Sequence, residues 1–161
     1  MRAQLRVGAE LDRDRARALG RELRRHEALA ASTKALRPRE LSTRRLEQRL
    51  ERRAVPPAER ARAVETLTRA GLLDDARFAR GRALALAARG YGDAAISFDL
   101  ERQGVDAELA AEALAELEPE RERALRVAAG AGGSARAARL LARRGFGEDA
   151  IETAAGVAEN G

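Results

Sequence analysis

Gly71-Leu72-Leu73-Asp74-Asp75-Ala76-Arg77-Phe78-Ala79, followed by Arg89-Gly90-Tyr91-Gly92, reads as a helix ending, a restart and a second ending. Gly71 accommodates the left-handed conformation that closes a helix. Asp74 or Asp75 then accepts hydrogen bonds from the free N–H groups of the next helix. Phe78, Ala79, Ala83 and Leu86 fall on one apolar helical stripe. Gly90 and Gly92 stop it.

On either side of this stretch the chain repeats itself. Leu46, Leu50 and Ala54-Val55 recur as Ile96, Leu100 and Gly104-Val105, and again as Ala137, Leu141 and Gly145-Phe146. A further helical segment follows each copy (Pro57 to Ala70, Asp106 to Leu117, Gly147 to about Gly156), and another precedes each (about Gly20–Leu36, Asp75–Arg89, Pro119–Gly130). The unit is three short helices used three times. Periods of this size point to an all-α array whose units bury apolar faces mainly against neighbours. The expected division is an N-terminal extension over 1–19, repeats over 20–70, 71–117 and 118–156, and a disordered tail over 157–161. The array is expected to be elongated and curved.

Composition narrows the function classes. With no Cys among 161 residues, disulfide frameworks, thiolate chemistry and Cys-based zinc sites are excluded. Nothing approaches the roughly 18 consecutive apolar residues of a membrane span, and the start of the chain has no signal-peptide core. A soluble, cytoplasmic protein without membrane contact is expected. The net charge is +5, and all but one of the 31 basic residues are arginine, Lys34 being the sole lysine. A GC-rich genome produces that skew by itself, and charge speaks to encounter rather than identity. Aromatics make up only 2% of the chain (Phe78, Tyr91, Phe98, Phe146), too few for a protein that works by stacking on many bases. The core must be Leu and Ala.

Taken in order, Leu5-Arg6-Val7 has the pattern of a strand but no partner strand, and is expected to fray. A short helix over 13–19 and a long one from Arg21 follow, the latter stopped at Arg37 because Pro38 disfavours helical geometry in the residue before it. Ser42 caps the next helix. Ala54 stands where the other copies have Gly104 and Gly145, and a left-handed Ala costs roughly 1 kcal/mol. Pro57 opens a helix, since proline is tolerated in a first turn. Asp106 caps another. The run Gly130-Ala131-Gly132-Gly133 reads as a loop.

Little here suggests catalysis. The one histidine, His26, sits in Arg24-Arg25-His26-Glu27, a solvated helical surface, and there is no phosphate-binding or dinucleotide fingerprint. Many carboxylates lie three or four residues from arginines, which is ordinary helix-surface pairing. Asp74 and Asp75 are accounted for by their place at a helix N-terminus. No catalytic residue, metal site or cofactor is expected. A basic three-helix unit also invites a helix-turn-helix reading. Three repeats, with arginines spread over several helices, argue instead for a binding surface that fits a larger object.

The central motif, Gly71 to Ala79 and then Gly90-Tyr91-Gly92, Ile96, Leu100 and Gly104-Val105, resembles that of the RecX regulatory proteins. The flanks agree: Arg39-Glu40-Leu41-Ser42 with Leu46 and Leu50, and Leu140-Leu141-Ala142-Arg143-Arg144-Gly145-Phe146. The resemblance covers about residues 20–155. Departures are Ala54, a shortened third unit with its glycine run, and a divergent N-terminus. The resemblance implies a tandem three-helix-repeat protein that lodges in the RecA recombinase filament on DNA and restrains its ATPase, coprotease and strand-exchange activities, without an active site of its own. A monomer is expected.

On that reading the arginines of the repeat-middle helices are the expected contacts: Arg44, Arg45, Arg49 and Arg52; Arg89 and Arg102; Arg136, Arg139, Arg143 and Arg144. Arg77 and Tyr91, beside the central turn, are either scaffold or contact. Asp74, Asp75, Phe78, Gly90 and Gly104 belong to the fold. The competing reading is a protein that binds single- or double-stranded DNA through its arginine-rich helices, independently of RecA.

Overall fold

A computed structural model describes residues 41–159 together with residues 17, 18, 20–22, 24 and 25. From Leu41 onward the regular elements are all α-helices: α1 (Thr43–Glu51), α2 (Pro57–Arg69), α3 (Asp75–Ala88), α4 (Asp93–Gln103), α5 (Ala107–Ala115), α6 (Glu120–Ala128), α7 (Ser134–Arg143) and α8 (Glu148–Glu159). The few described residues before them are helical as well. The fraying segment at 5–7, the stop at Arg37 and His26 lie outside the described residues, as do most of the helices expected over 13–19 and from Arg21.

The chain divides into two compact units, residues 1–73 and 74–161. The division falls after Leu73, not at the expected boundary between 70 and 71. Leu73 is the reason: it is buried with Leu46, Leu50, Ala63 and Leu67 in the core of the first unit. Ser42 caps α1, its hydroxyl accepting from the Arg45 N–H at 3.3 Å. Pro57 opens α2 as its first residue.

In the second unit, α3–α5 and α6–α8 are two three-helix repeats with separate cores. Phe78, Ala79, Ala83 and Leu86 of α3 pack on Ile96 and Leu100 of α4 and on Ala110 and Ala113 of α5. Ala124 and Ala128, Ala137 and Leu141, and Ala150 and Ala154 do the same for the third repeat. Ile96, Leu100 and Leu141 are wholly buried, each worth about 1.5–3 kcal/mol. Two expectations are corrected here. Asp106 occupies the N-cap position of α5, but its side chain makes no capping bond. Helix α8 runs on to Glu159, so residues 157–159 are helix rather than a disordered tail. Ala158 still packs on the third core, which carries the helix past Gly156.

The turn after each middle helix has one geometry in all three repeats. Val55 N–H donates to Leu50 C=O, Val105 to Leu100 and Phe146 to Leu141, at 3.1–3.2 Å. The residue between is left-handed each time: Gly104 at φ 80°, Gly145 at 75° and, against the side-chain rule, Ala54 at 56°.

The second and third repeats are joined backbone to backbone. Gly92 N–H donates to Arg144 C=O at 2.8 Å, and Ala94 N–H to Gly145 C=O at 3.1 Å. The free donors at the start of α4 are thus satisfied by the turn that ends α7. A β-carbon on Gly92 would lie 2.3 Å from Gly145 O, so only glycine fits. Arg123, 4% exposed, completes the joint from α6. It donates to Glu118 C=O at 2.9 Å, to Tyr91 C=O at 3.0 Å and to the Asp93 carboxylate. Glu120 accepts from the N–H groups of Asp93 at 2.6 Å and Gly147 at 3.2 Å.

Gly92→Ala should therefore destabilise the second unit by about 3 kcal/mol or more, from overpacking against backbone. Ala54→Gly should stabilise the first by up to about 1 kcal/mol, by relieving left-handed strain. Denaturant titration of each variant tests both signs. Arg123→Ala should cost about 1–3 kcal/mol by leaving two carbonyls without their donor and the partly exposed Asp93 carboxylate without its partner. An unfolding midpoint like that of the unsubstituted protein would rule out the clamp.

Candidate partner-binding surfaces

The expected contact arginines meet three different fates. On α1, Arg44 and Arg49 are exposed and Arg45 is half-buried, while exposed Arg52 turns its Nε back to Gln48 C=O at 3.3 Å. Buried Leu46 and Leu50 lie between them in sequence, and helical periodicity sends the two sets of side chains in different directions. A cleft of about 460 Å³ beside this helix is lined by Arg44, Glu47, Gln48, Glu51, Pro57 and Arg60.

Around the central turn the arginines are engaged. Asp74 caps α3, accepting from the Arg77 N–H at 2.9 Å, and the Arg77 guanidinium lies 3.7 Å from the same carboxylate. Arg89 stacks over the Tyr91 ring at 5.4 Å, and Arg102 over Phe98 at 5.8 Å. Phe78 is buried against α4 and α5, Gly90 is buried, and Asp75 and Gly104 are half-buried. Phe98 is a surface residue that the sequence reading does not single out: 61% of it is exposed, on the side of α4 away from Ile96 and Leu100. Its spacing from those two positions was the available signal.

On α7, Arg136, Arg139 and Arg143 are exposed, and Ala137 and Leu141 face the core. Arg144 differs from its neighbours. It is half-buried, with its Nη1 at 3.5 Å from Gly90 C=O, and a β-carbon on Gly90 would come within 2.6 Å of that nitrogen. Arg144 helps to close the joint between the repeats.

Elsewhere, paired charge dominates. Arg82 meets Asp99 through two bonds of 2.7 and 3.0 Å, which raise the pKa of its guanidinium. Arg126 forks onto Glu118 and holds that carboxyl below the usual range. A second cleft, of about 310 Å³, is lined by Arg25, Glu59, Arg62, Ala63, Glu65 and Thr66. Its described lining is mainly carboxylates and guanidinia. Among the described residues no cluster of three or more metal-ligating side chains forms, and no helix is long and apolar enough to cross a membrane.

The Arg77 N–H bonded to Asp74 is the main cause that holds this carboxyl below its ordinary pKa. Its contribution to stability is therefore fully present above the ordinary carboxylate range and lost as pH falls through the depressed value. Asp74→Asn should flatten the acid limb of the stability curve. Unfolding midpoints measured against pH test this, and an acid limb as steep as before would refute it.

Comparison with known proteins follows the same geometry. The family described as "RecX, second three-helix domain" matches residues 74–114, from the Asp74 cap almost to the end of α5. The regulatory protein RecX of Halorhodospira halophila is 34% identical over 139 residues, covering 80% of this chain and 86% of that protein. That of Mycolicibacterium smegmatis is 40% identical over 82 residues, covering 48% of this chain and 42% of that protein. In fold, the crystal structure of RecX from Lactobacillus salivarius is similar with a TM-score of 0.76 at 17% identity, over 81% of this chain and 94% of that one. A second crystal structure, of a regulatory protein RecX, gives 0.78 at 18% identity, over 92% and 81%. With a relative of this identity matched over most of both lengths, the chain belongs to the RecX family of regulatory proteins.

Proposed function

We propose that this protein binds the RecA recombinase filament on DNA and restrains its ATPase, coprotease and strand-exchange activities during recombination and the SOS response. The observation that carries the reading is the match to a curated RecX regulatory protein over 80% of this chain. Arginines presented on α1 and α7 support it physically, because a polymer loaded with nucleic acid offers dense negative charge to such faces. No step of bond chemistry is required. The protein acts as a cytoplasmic monomer, and a few copies affect many protomers by blocking extension or promoting disassembly. That relatives are named regulatory proteins supports a binding role over a catalytic one.

The test is ATP hydrolysis by RecA on single-stranded DNA, with this protein titrated well below the RecA concentration. Inhibition is expected at such ratios. The combined Arg44→Glu, Arg45→Glu, Arg49→Glu and Arg52→Glu variant, shown to be folded by circular dichroism, should lose it. Hydrolysis unaffected at every ratio would overturn the reading.

A further inference from the structure

Several arginines in this protein are answered by a carboxylate. Arg60 pairs with Glu51 at 3.1 Å, Arg69 with Glu65 at 2.5 Å, Arg80 with Glu116 at 3.9 Å and Arg82 with Asp99. Those that α7 exposes are not. No Asp or Glu occurs anywhere from Arg123 through Gly147. The acids at the joint are already engaged, Asp93 by Arg123, Glu118 by Arg126 and Glu120 by two N–H groups. Arg136, Arg139 and Arg143 are exposed and make no ion pair among the described residues.

Their spacing puts the three on one stripe, opposite Ala137 and Leu141. At 1.5 Å of rise per residue they span about 10 Å along the helix. One strand of a duplex presents a phosphate every 3.4 Å or so of axis, so about three fall within reach of such a row. Exposed Ala135 and Ala142 flank it with methyl groups, which leaves the guanidinia as the tallest features of that face. Helix α7 has no side-chain cap, so the partial positive charge of its first turn adds to that of Arg136. Its exposed face has no aromatic ring, which disfavours base stacking and leaves backbone contact.

From these features we infer that the Arg136–Arg139–Arg143 row on α7 is a sequence-independent site for the phosphate backbone of double-stranded DNA. The contact is distinct from whatever α1 does, and it stands apart from the filament reading, since it needs no RecA. Charge-assisted bonds from guanidinium to phosphate hold the duplex, and released counterions supply the driving force.

The experiment measures binding of the full chain to a labelled duplex of arbitrary sequence by fluorescence anisotropy, across a sodium chloride series and without RecA. Each phosphate neutralised contributes about 0.9 to the slope of log affinity against log salt. The triple variant Arg136→Gln, Arg139→Gln, Arg143→Gln should therefore bind more weakly and lose about 2.7 from that slope. Arg60→Gln, Arg69→Gln, Arg80→Gln changes the net charge by the same amount at paired positions and should keep the slope. No binding by the unsubstituted chain, an unchanged slope in the first variant, or equal losses in both variants would each overturn the inference. A single strand bound as tightly as the duplex, through the same three arginines, would also overturn the duplex assignment. An effect on RecA hydrolysis alone, with duplex binding intact, bears on the filament reading only.

Discussion

The joint between the second and third repeats depends on two glycines meeting without side chains. Gly92 starts α4 against the carbonyls of Arg144 and Gly145, and a β-carbon on either glycine would sit inside van der Waals distance of its neighbour, 2.3 Å in one case and 2.7 Å in the other. Because the contact is between main chains, it fixes register more tightly than apolar packing alone could in a core built largely of alanine. The orientation of the two repeats, and with it the direction in which α4 and α7 present their outer faces, follows from this one seat. Arg123 then spends a fully formed guanidinium on holding it shut, a use of arginine quite different from the solvated rows outside.

Much of the local architecture was legible in the sequence because its causes are local. Apolar spacing at Leu46 and Leu50, repeated at Ile96 and Leu100, marks the helix faces, and Ser42, Pro57, Asp74 and Gly104 mark ends through hydrogen bonds that close within a few residues. Even Ala54 adopts the left-handed conformation that its alignment with the two glycines required. What escaped was long-range. Glu120-Arg121-Glu122-Arg123 looks like any solvated charged helix, and nothing nearby says that Arg123 reaches back to Tyr91 and Asp93. Sequence alone groups Arg144 with the surface arginines for the same reason. Asp106 shows the converse, a residue in the right place for a cap whose carboxylate does not complete the bond.

Site legibility divides along the same line. Residue type identified arginine as the contact chemistry, but which arginines are committed depends on where acids from other helices come to rest. Asp99 takes Arg82 across from α4, and Glu116 approaches Arg80 from the end of α5. The acid-free run holding α7 is visible in the sequence, but only after those pairs are placed is it clear that no acid from another helix answers its exposed arginines. Phe98 is the other surface feature that folding exposes, a ring turned outward under Arg102 in a chain that otherwise buries its phenylalanines.

The methyl group of Ala54 has one more consequence. The corresponding turn at Gly145 accepts the start of another helix only because it is bare, with 2.7 Å from a would-be β-carbon to Ala95. Ala54 already fills that clearance. A helix start of the α4 kind, whether from a duplicated repeat or from a second copy of the chain, cannot seat there as it does on Gly145. A single methyl thus separates two turns of the same backbone geometry: main-chain docking of a helix start fits the one and is sterically closed to the other.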